Sequence, residues 1–146
     1  MLVLPFSFLG LLALAPPTGA IQPAPIAVTV VVTDLASTQS VVKLNFYNSS
    51  DAFLHDGRQA HQLIVHPGGK ASITVPVELT PGTWAVALTQ DTNDNNLLDK
   101  NFLGIPTEPY AFSNNVHPRF AAPKFEECKF MVNEPGLVVS IALAPK

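Results

Sequence analysis

Apolar and polar residues alternate along most of the chain after residue 25. Every second residue of 26–33 is apolar, and the same period of two recurs in six later stretches. Because successive side chains of a strand point to opposite faces of its sheet, this period predicts strands with one buried face. The predicted strands are residues 26–33, 40–47, 62–66, 72–77, 83–90, 125–132 and 137–143.

Short strands separated by turn residues favour two antiparallel sheets packed face to face. Turns are marked by Pro81-Gly82 and Pro135-Gly136, and no stretch has the period of an amphipathic helix. Pro76 cannot donate a ladder hydrogen bond, so its strand is predicted to lie at an edge. We predict an all-β fold, an antiparallel β-sandwich of about seven strands with a long ordered loop after the fifth strand. The last two strands are expected to pair as a hairpin.

The amino terminus has the composition of a secretory signal. Residues 1–15 are almost wholly apolar and carry no charge, and Ala20 ends a stretch suited to a signal-peptidase site. A membrane-spanning helix needs about 20 apolar residues, and this run is shorter and contains Pro5. We predict a signal peptide at 1–20 and a single domain at 21–146. The mature chain is expected to lack a transmembrane segment and to be exported, either periplasmic or secreted.

Charge and cysteine content narrow the range of partners. The 146 residues carry a formal net charge of −3, and the eight Lys and Arg residues are scattered. The chain therefore lacks the basic patch with which proteins bind nucleic acid. Cys128 is the sole cysteine, which leaves no internal disulfide. We expect its thiol to be buried on a strand.

An Asp- and Asn-rich run follows the fifth predicted strand. Side-chain oxygens recur at Asp91, Asn93 and Asn95, and a carboxylate follows at Asp99. This spacing is typical of a loop that wraps a hard cation, with Leu97 contributing its carbonyl, and it predicts a calcium site. In the alternative interpretation the same side chains cap their own backbone as a plain turn. The residues alone leave both interpretations open.

A second candidate site is the aromatic loop 102–120. Tyr110, Phe112 and Asn114, together with Phe102 and Phe120, set rings beside an amide, a combination found on surfaces that bind small ligands or glycans. Alternatively, the rings plug one end of the sandwich and anchor the loop.

Nothing in the chain has the pattern of a catalytic centre. Ser113 lacks the flanking glycines of a nucleophile elbow. Glu126 and Glu127, as neighbours on a predicted strand, would point to opposite faces and could not cooperate. The four histidines fit no zinc-binding spacing. We predict that the protein is not an enzyme.

The segment 79–132 resembles the family of uncharacterised bacterial proteins known as DUF2141. The resemblance is carried by residues 79–86, 91–99, 101–106, 108, 110–115 and 123–130. It implies an exported protein with a transthyretin-like or immunoglobulin-like sandwich and no assigned activity. This chain has Gln90 where members usually carry His, and Asn96 and Leu97 near a usual Gly. Asn96 can take the left-handed conformation that a tight cation loop requires, though less easily than glycine.

Pattern and resemblance lead to one functional expectation and one alternative. We expect a non-enzymatic binding or structural module of the cell envelope, with an unidentified envelope or extracellular partner and calcium as its one candidate cofactor. The alternative is a carrier of a small ligand or glycan that uses the loop 102–120.

Overall fold

The computed structural model describes residues 22–118 and 120–143, so the predicted signal peptide lies outside the described residues. The fold is almost wholly β, as predicted. The described residues contain eight strands, β1 Ile26–Thr33, β2 Val42–Tyr47, β3 His61–Val65, β4 Ile73–Leu79, β5 Gly82–Gln90, β6 Tyr110–Phe112, β7 Phe130–Val132 and β8 Leu137–Ala142. Between them lie a short 3-10 turn, Ser113–Asn115, and one helical turn, α1 Phe125–Cys128.

The strands form two sheets with an apolar core between them. One sheet has the order β4-β1-β8, and the other has the order β3-β2-β5-β6, with β7 also paired to β5. Alternate residues are buried in β1 and β4, as the predicted period of two requires. The largest buried side chains of this core include Val30, Val32, Leu44, Phe46, Leu79, Leu88 and Ile141. The prediction of a sandwich with β4 at an edge is confirmed.

The predicted closing hairpin is wrong. β7 pairs with β5 in one sheet, whereas β8 lies parallel to β1 in the other, with Val28 opposite Leu137 and Val32 opposite Ile141. The connection 133–136 therefore crosses between sheets. Alternation shows which face of a strand is buried but carries no information on its partner. Every other strand pair is antiparallel in the described part of the chain.

The predicted strand 125–132 is also wrong in its first half. Residues 125–128 form α1, in which the N–H of Lys129 donates to the carbonyl of Phe125 at 2.9 Å. The carboxylate of Glu127 accepts a hydrogen bond from the N–H of Lys124 at 2.7 Å, which closes the start of the turn. Glu126 and Glu127 thus lie on this turn, not on a strand.

A second apolar cluster covers part of the outer face of the five-stranded sheet, the face turned away from the other sheet. Phe53 packs there against Tyr47, Phe112 and Phe125, at ring-centroid distances of 5.3, 6.4 and 5.8 Å. Cys128 is fully buried beside them. We call this group the outer cluster, and it closes one end of the outer face.

The hydroxyl of Ser113 connects the outer cluster to the sheet. It accepts a hydrogen bond from the N–H of Val86 at 2.9 Å and donates to the carbonyl of Cys128 at 2.6 Å. Across residues 22–118 and 120–143, no helix has both the length and the apolar character needed to cross a membrane.

Candidate functional site

The carboxylate of Asp91 is the centre of the Asp/Asn loop. Asp91 follows directly after β5 and is only 1% exposed. One carboxylate oxygen accepts the N–H of Asn95 at 3.2 Å, and the other accepts the N–H of Asn96 at 2.8 Å. The ammonium of Lys43, on β2, lies 3.3 Å from this second oxygen. The chain therefore folds around Asp91, and Lys43 neutralises its charge.

These contacts determine the protonation of Asp91. Burial acts to raise its pKa, but the hydrogen bond from the Asn96 N–H, the Lys43 ammonium and the hydrogen bond from the Asn95 N–H outweigh burial. The pKa of Asp91 is therefore held below its ordinary value. Asn96 has a φ of +64°, so it takes the left-handed conformation that its side chain allows.

The structure brings three of the predicted metal ligands together. The amide nitrogens of Asn93 and Asn95 both donate to one oxygen of Asp99, at 2.6 and 2.7 Å. The side-chain oxygen of Asn95 accepts the N–H of Leu97 at 2.8 Å, and the Leu97 side chain is exposed. Asp91 faces Lys43 and the loop backbone. These bonds are those of a self-capped turn.

Within the described residues, no three His, Cys, Asp or Glu side chains are grouped as a metal site would require.

Glu108 is a member of this loop that sequence reasoning left without a role. It is 3% exposed, and its carboxylate accepts the N–H of Thr92 at 3.1 Å. Burial raises the pKa of Glu108, the Thr92 hydrogen bond offsets part of that rise, and the negative charges of Asp91 and Asp99 add to it. The one sequence signal was an acidic residue between Thr107 and Pro109, in a stretch otherwise poor in charge.

Glu108→Gln is expected to gain stability relative to the wild type as the pH rises. The raised pKa means that the folded wild type binds more protons than the unfolded chain, so its free energy of unfolding falls as the pH rises from about 4 through the folded pKa. Glutamine does not titrate and lacks this loss. Urea unfolding of both proteins across this pH range measures the difference. A constant difference at every pH would show that Glu108 has an ordinary pKa.

A groove of about 400 Å³ lies on the outer face of the five-stranded sheet, beside the outer cluster. Its floor comes from β2, β5 and β6, where register sets Asn45 against Ala87 and Thr89 against Tyr110. Leu54 and Asp56 border it on the side of the outer cluster. The floor residues are Asn45, Tyr47, Ala87, Thr89, Tyr110 and Phe112.

The hairpin 100–106 forms another wall of the groove. Lys100 and Pro106 are bridged, and the N–H of Gly104 donates to the carbonyl of Asn101 at 2.9 Å. Gly104 has a φ of +78°, which a residue with a Cβ adopts only with strain. The N–H of Thr107 donates to the carbonyl of Asp99 at 2.7 Å, so the hairpin is attached to the Asp/Asn loop.

Exposed apolar side chains surround the groove opening. Leu103 is 67% exposed, Ile105 is 50% exposed and Phe120 is fully exposed, and all three line the groove. Phe102, on the same hairpin, is 95% exposed. Phe102 and Phe120 therefore do not plug the end of the sandwich as the alternative interpretation predicted, whereas Phe112 is buried in the outer cluster.

The predicted ligand-binding residues divide into two groups. Tyr110 and Phe112 lie together on the groove floor, with ring centroids 5.8 Å apart, and Phe112 also belongs to the outer cluster. Asn114 does not line the groove. Its amide donates to the carbonyls of Glu127 and Lys129 at 3.0 and 2.9 Å, and so connects the 3-10 turn to the end of α1.

Cys128 is buried, as predicted, but on α1 instead of a strand. Burial, with a contribution from the charge of Glu127, raises the pKa of its thiol to about 11. The thiol is therefore protonated at neutral pH and is a poor nucleophile.

The family comparison covers most of the sandwich, including β5, the Asp/Asn loop, the groove floor and α1. The model of the DUF2141 family, described as an uncharacterized protein conserved in bacteria, matches residues 30–139. No curated protein and no solved structure matches the chain. The matched segment spans more than half of the sequence. The chain therefore belongs to the DUF2141 family of bacterial proteins.

Proposed function

We propose that this protein is an exported, non-enzymatic binding module that takes a small ligand in the groove on its five-stranded sheet. The observation that carries the proposal is the groove itself, a concavity with an aromatic floor and an exposed apolar rim. Pockets for small organic ligands fall in the range of about 300–1,000 Å³ and are lined mainly by apolar and aromatic side chains. The groove meets both criteria.

The rim adds a second reason. Leu103, Ile105 and Phe120 expose apolar area to water around one opening, and such grouped exposure is typical of a surface that binds something. The same side chains scattered singly would need no explanation.

The hydroxyl of Ser113, which was considered above as a nucleophile, does not contradict a binding role. Ser113 is fully buried, and its hydrogen bonds go to Val86 and Cys128. It therefore faces the inside of the fold and not the groove.

The proposed export to the periplasm or the medium is supported by the apolar composition of residues 1–20. The proposal of an envelope partner depends on the same segment.

Ile105→Asp is expected to weaken binding of the neutral apolar dye Nile red by about tenfold, because a rim contact worth about 1.4 kcal/mol is replaced by a charge. Val138→Asp is the matched control, since Val138 is 56% exposed but lies on β8, in the other sheet. Dye fluorescence gives the dissociation constants. Failure of the wild type to bind the dye, together with glycan binding that Tyr110→Ala abolishes, would favour a glycan-binding carrier instead.

We also propose calcium as a ligand of the Asp/Asn loop. The observation favouring it is the convergence of Asn93, Asn95 and Asp99, with Glu108 close enough for its pKa to respond to the charge of Asp99. Turning the two amides would direct their oxygens, which calcium prefers, to the place where their nitrogens now meet Asp99. The self-capped turn is the competing state.

Excess calcium is expected to raise the melting temperature relative to chelator, because an ion at a hundredfold excess over its dissociation constant stabilises the fold by about 3 kcal/mol. Asp99→Ala should abolish this shift, and Asp94→Asn, at an exposed position of the same loop, should keep it. Equal melting temperatures in calcium and chelator would show that the turn is closed by its own amides alone.

A further inference from the structure

Some charged side chains near the groove are ion-paired and others are not, and this difference indicates the charge of the ligand. The inference rests on the function proposed above. Two lysines lie near the Gln90 end of β5. The ammonium of Lys43 is paired with Asp91 at 3.3 Å. Lys100 lines the groove, is exposed, and forms no ion pair within residues 22–118 and 120–143. A positive charge is thus available at the base of the hairpin wall.

A carboxylate lies on the opposite side of the groove. Asp56 is close enough to Tyr47 that its charge adds to burial in raising the pKa of the Tyr47 hydroxyl. Tyr47 pairs with Ala85, towards the Gly82 end of β5, so Asp56 and Lys100 border different ends of the floor. An anion would be repelled at the Asp56 end and attracted at the Lys100 end.

The space between these ends is lined mainly by aliphatic, aromatic and proline side chains. The polar groups of the floor are the Asn45 amide and the hydroxyls of Tyr47, Thr89 and Tyr110. The side-chain oxygen of Asn45 already accepts a hydrogen bond from Gln62 at 2.7 Å. A sugar needs a hydrogen-bond partner for each buried hydroxyl, and the walls of the groove offer only the side chains of Asp56 and Lys100. An alkyl chain needs no such partners.

We infer that the groove binds a long-chain carboxylate, with its alkyl chain along the aromatic floor and its carboxylate at the ammonium of Lys100. The apolar lining supplies affinity in proportion to the chain area removed from water. Lys100 selects the sign of the head group and sets the direction in which the chain lies. The exposed rim of Leu103, Ile105 and Phe120 covers the part of the chain nearest the opening.

Isothermal titration with three amphiphiles of one chain length, each below its micelle concentration, tests this inference. The probes are decanoate, decanol and decyltrimethylammonium. We expect the wild type to bind decanoate most tightly. Lys100→Gln should weaken decanoate binding by about fivefold, the effect of a solvent-accessible ion pair, and leave decanol binding unchanged. Lys70→Gln, at an exposed lysine in the turn between β3 and β4, should change neither.

Three results would overturn the inference while sparing the proposed function. Equal binding of decanoate and decanol, unaffected by Lys100→Gln, would show that the head group is not recognised. Preference for decyltrimethylammonium, lost in Asp56→Asn, would show that the charge of the ligand is positive. If none of the three amphiphiles binds but Nile red does, the ligand is not an alkyl chain. If Nile red also fails to bind, and no glycan binds, the groove is not a binding site.

Discussion

Asp91→Asn is expected to lower the free energy of unfolding by about 3 kcal/mol, because it leaves the poorly exposed side chain of Lys43 without its counterion. The carboxylate accepts two backbone N–H groups, from Asn95 and Asn96, and one of its oxygens also faces Lys43. An Asn amide can offer one oxygen but not two, and its NH₂ group would face a donor. Denaturation by urea at neutral pH measures the loss.

Asp94→Asn is the matched control for this substitution. Asp94 is three residues away in the same loop, has a φ of +56°, and is exposed. Asparagine tolerates that φ, so the change in stability should stay within about 0.5 kcal/mol, as for most surface positions. Similar losses in both variants would show that the loop responds to any loss of negative charge, and that the buried position of Asp91 has no special importance.

The low pKa of Asp91 adds a pH dependence to the same comparison. A depressed pKa contributes stability that is present above the ordinary pKa of the carboxyl and is lost as the pH falls through its folded value. The gap between wild type and Asp91→Asn should therefore narrow in acid, below about pH 4. A gap that stays constant to low pH would contradict the charge pairing with Lys43.

Phe53→Ala is expected to cost about 3 kcal/mol, at the lower end of the range for a buried phenylalanine. Its ring is 7% exposed and packs against Tyr47, Phe112 and Phe125 in the outer cluster. The expected loss is moderate because the outer cluster lies at the surface of the sheet, where neighbours and water can partly fill the space. Thermal or urea unfolding gives the value.

Phe120→Ala provides the matched control, since it removes the same side chain from a position that is fully exposed. Its stability should be unchanged to within about 0.5 kcal/mol. Its Nile red binding should weaken, because Phe120 lines the groove. A variant Phe53→Ala as stable as the wild type would show that the outer cluster contributes little to the fold.

The elements that the sequence predicts well are those decided by alternation along the chain. In β1, Val28, Val30 and Val32 turn inward as their period requires, and β4 repeats this at Ile73, Val75 and Val77. Burying each of these side chains stabilises the folded state, whichever strand lies beside it. The sequence of a single strand is therefore enough to predict which of its faces is buried.

The errors concern short segments whose structure depends on distant residues. Residues 125–128 alternate well enough for a strand, yet they form a helical turn because Phe125 and Cys128 pack onto the outer cluster. Likewise β8 joins β1 in parallel, and its sequence contains nothing that distinguishes this partner from β7. Tertiary packing overrides local preference where an element is only a few residues long.

The candidate site shows the same division. The sequence by itself indicated a polar loop after β5 and left open whether a cation or the loop's own bonds close it. The side-chain oxygens of Asp91, Asn93 and Asn95 accept backbone N–H groups only a few residues away, which is local information. Tertiary structure alone decided that Lys43 and Glu108 complete this turn, since they come from 48 residues before and 17 residues after Asp91. It also decided the groove, whose floor and walls are brought together from β2, β5, β6 and three loops. A cavity is a property of surfaces that meet, and no stretch of the chain encodes one alone.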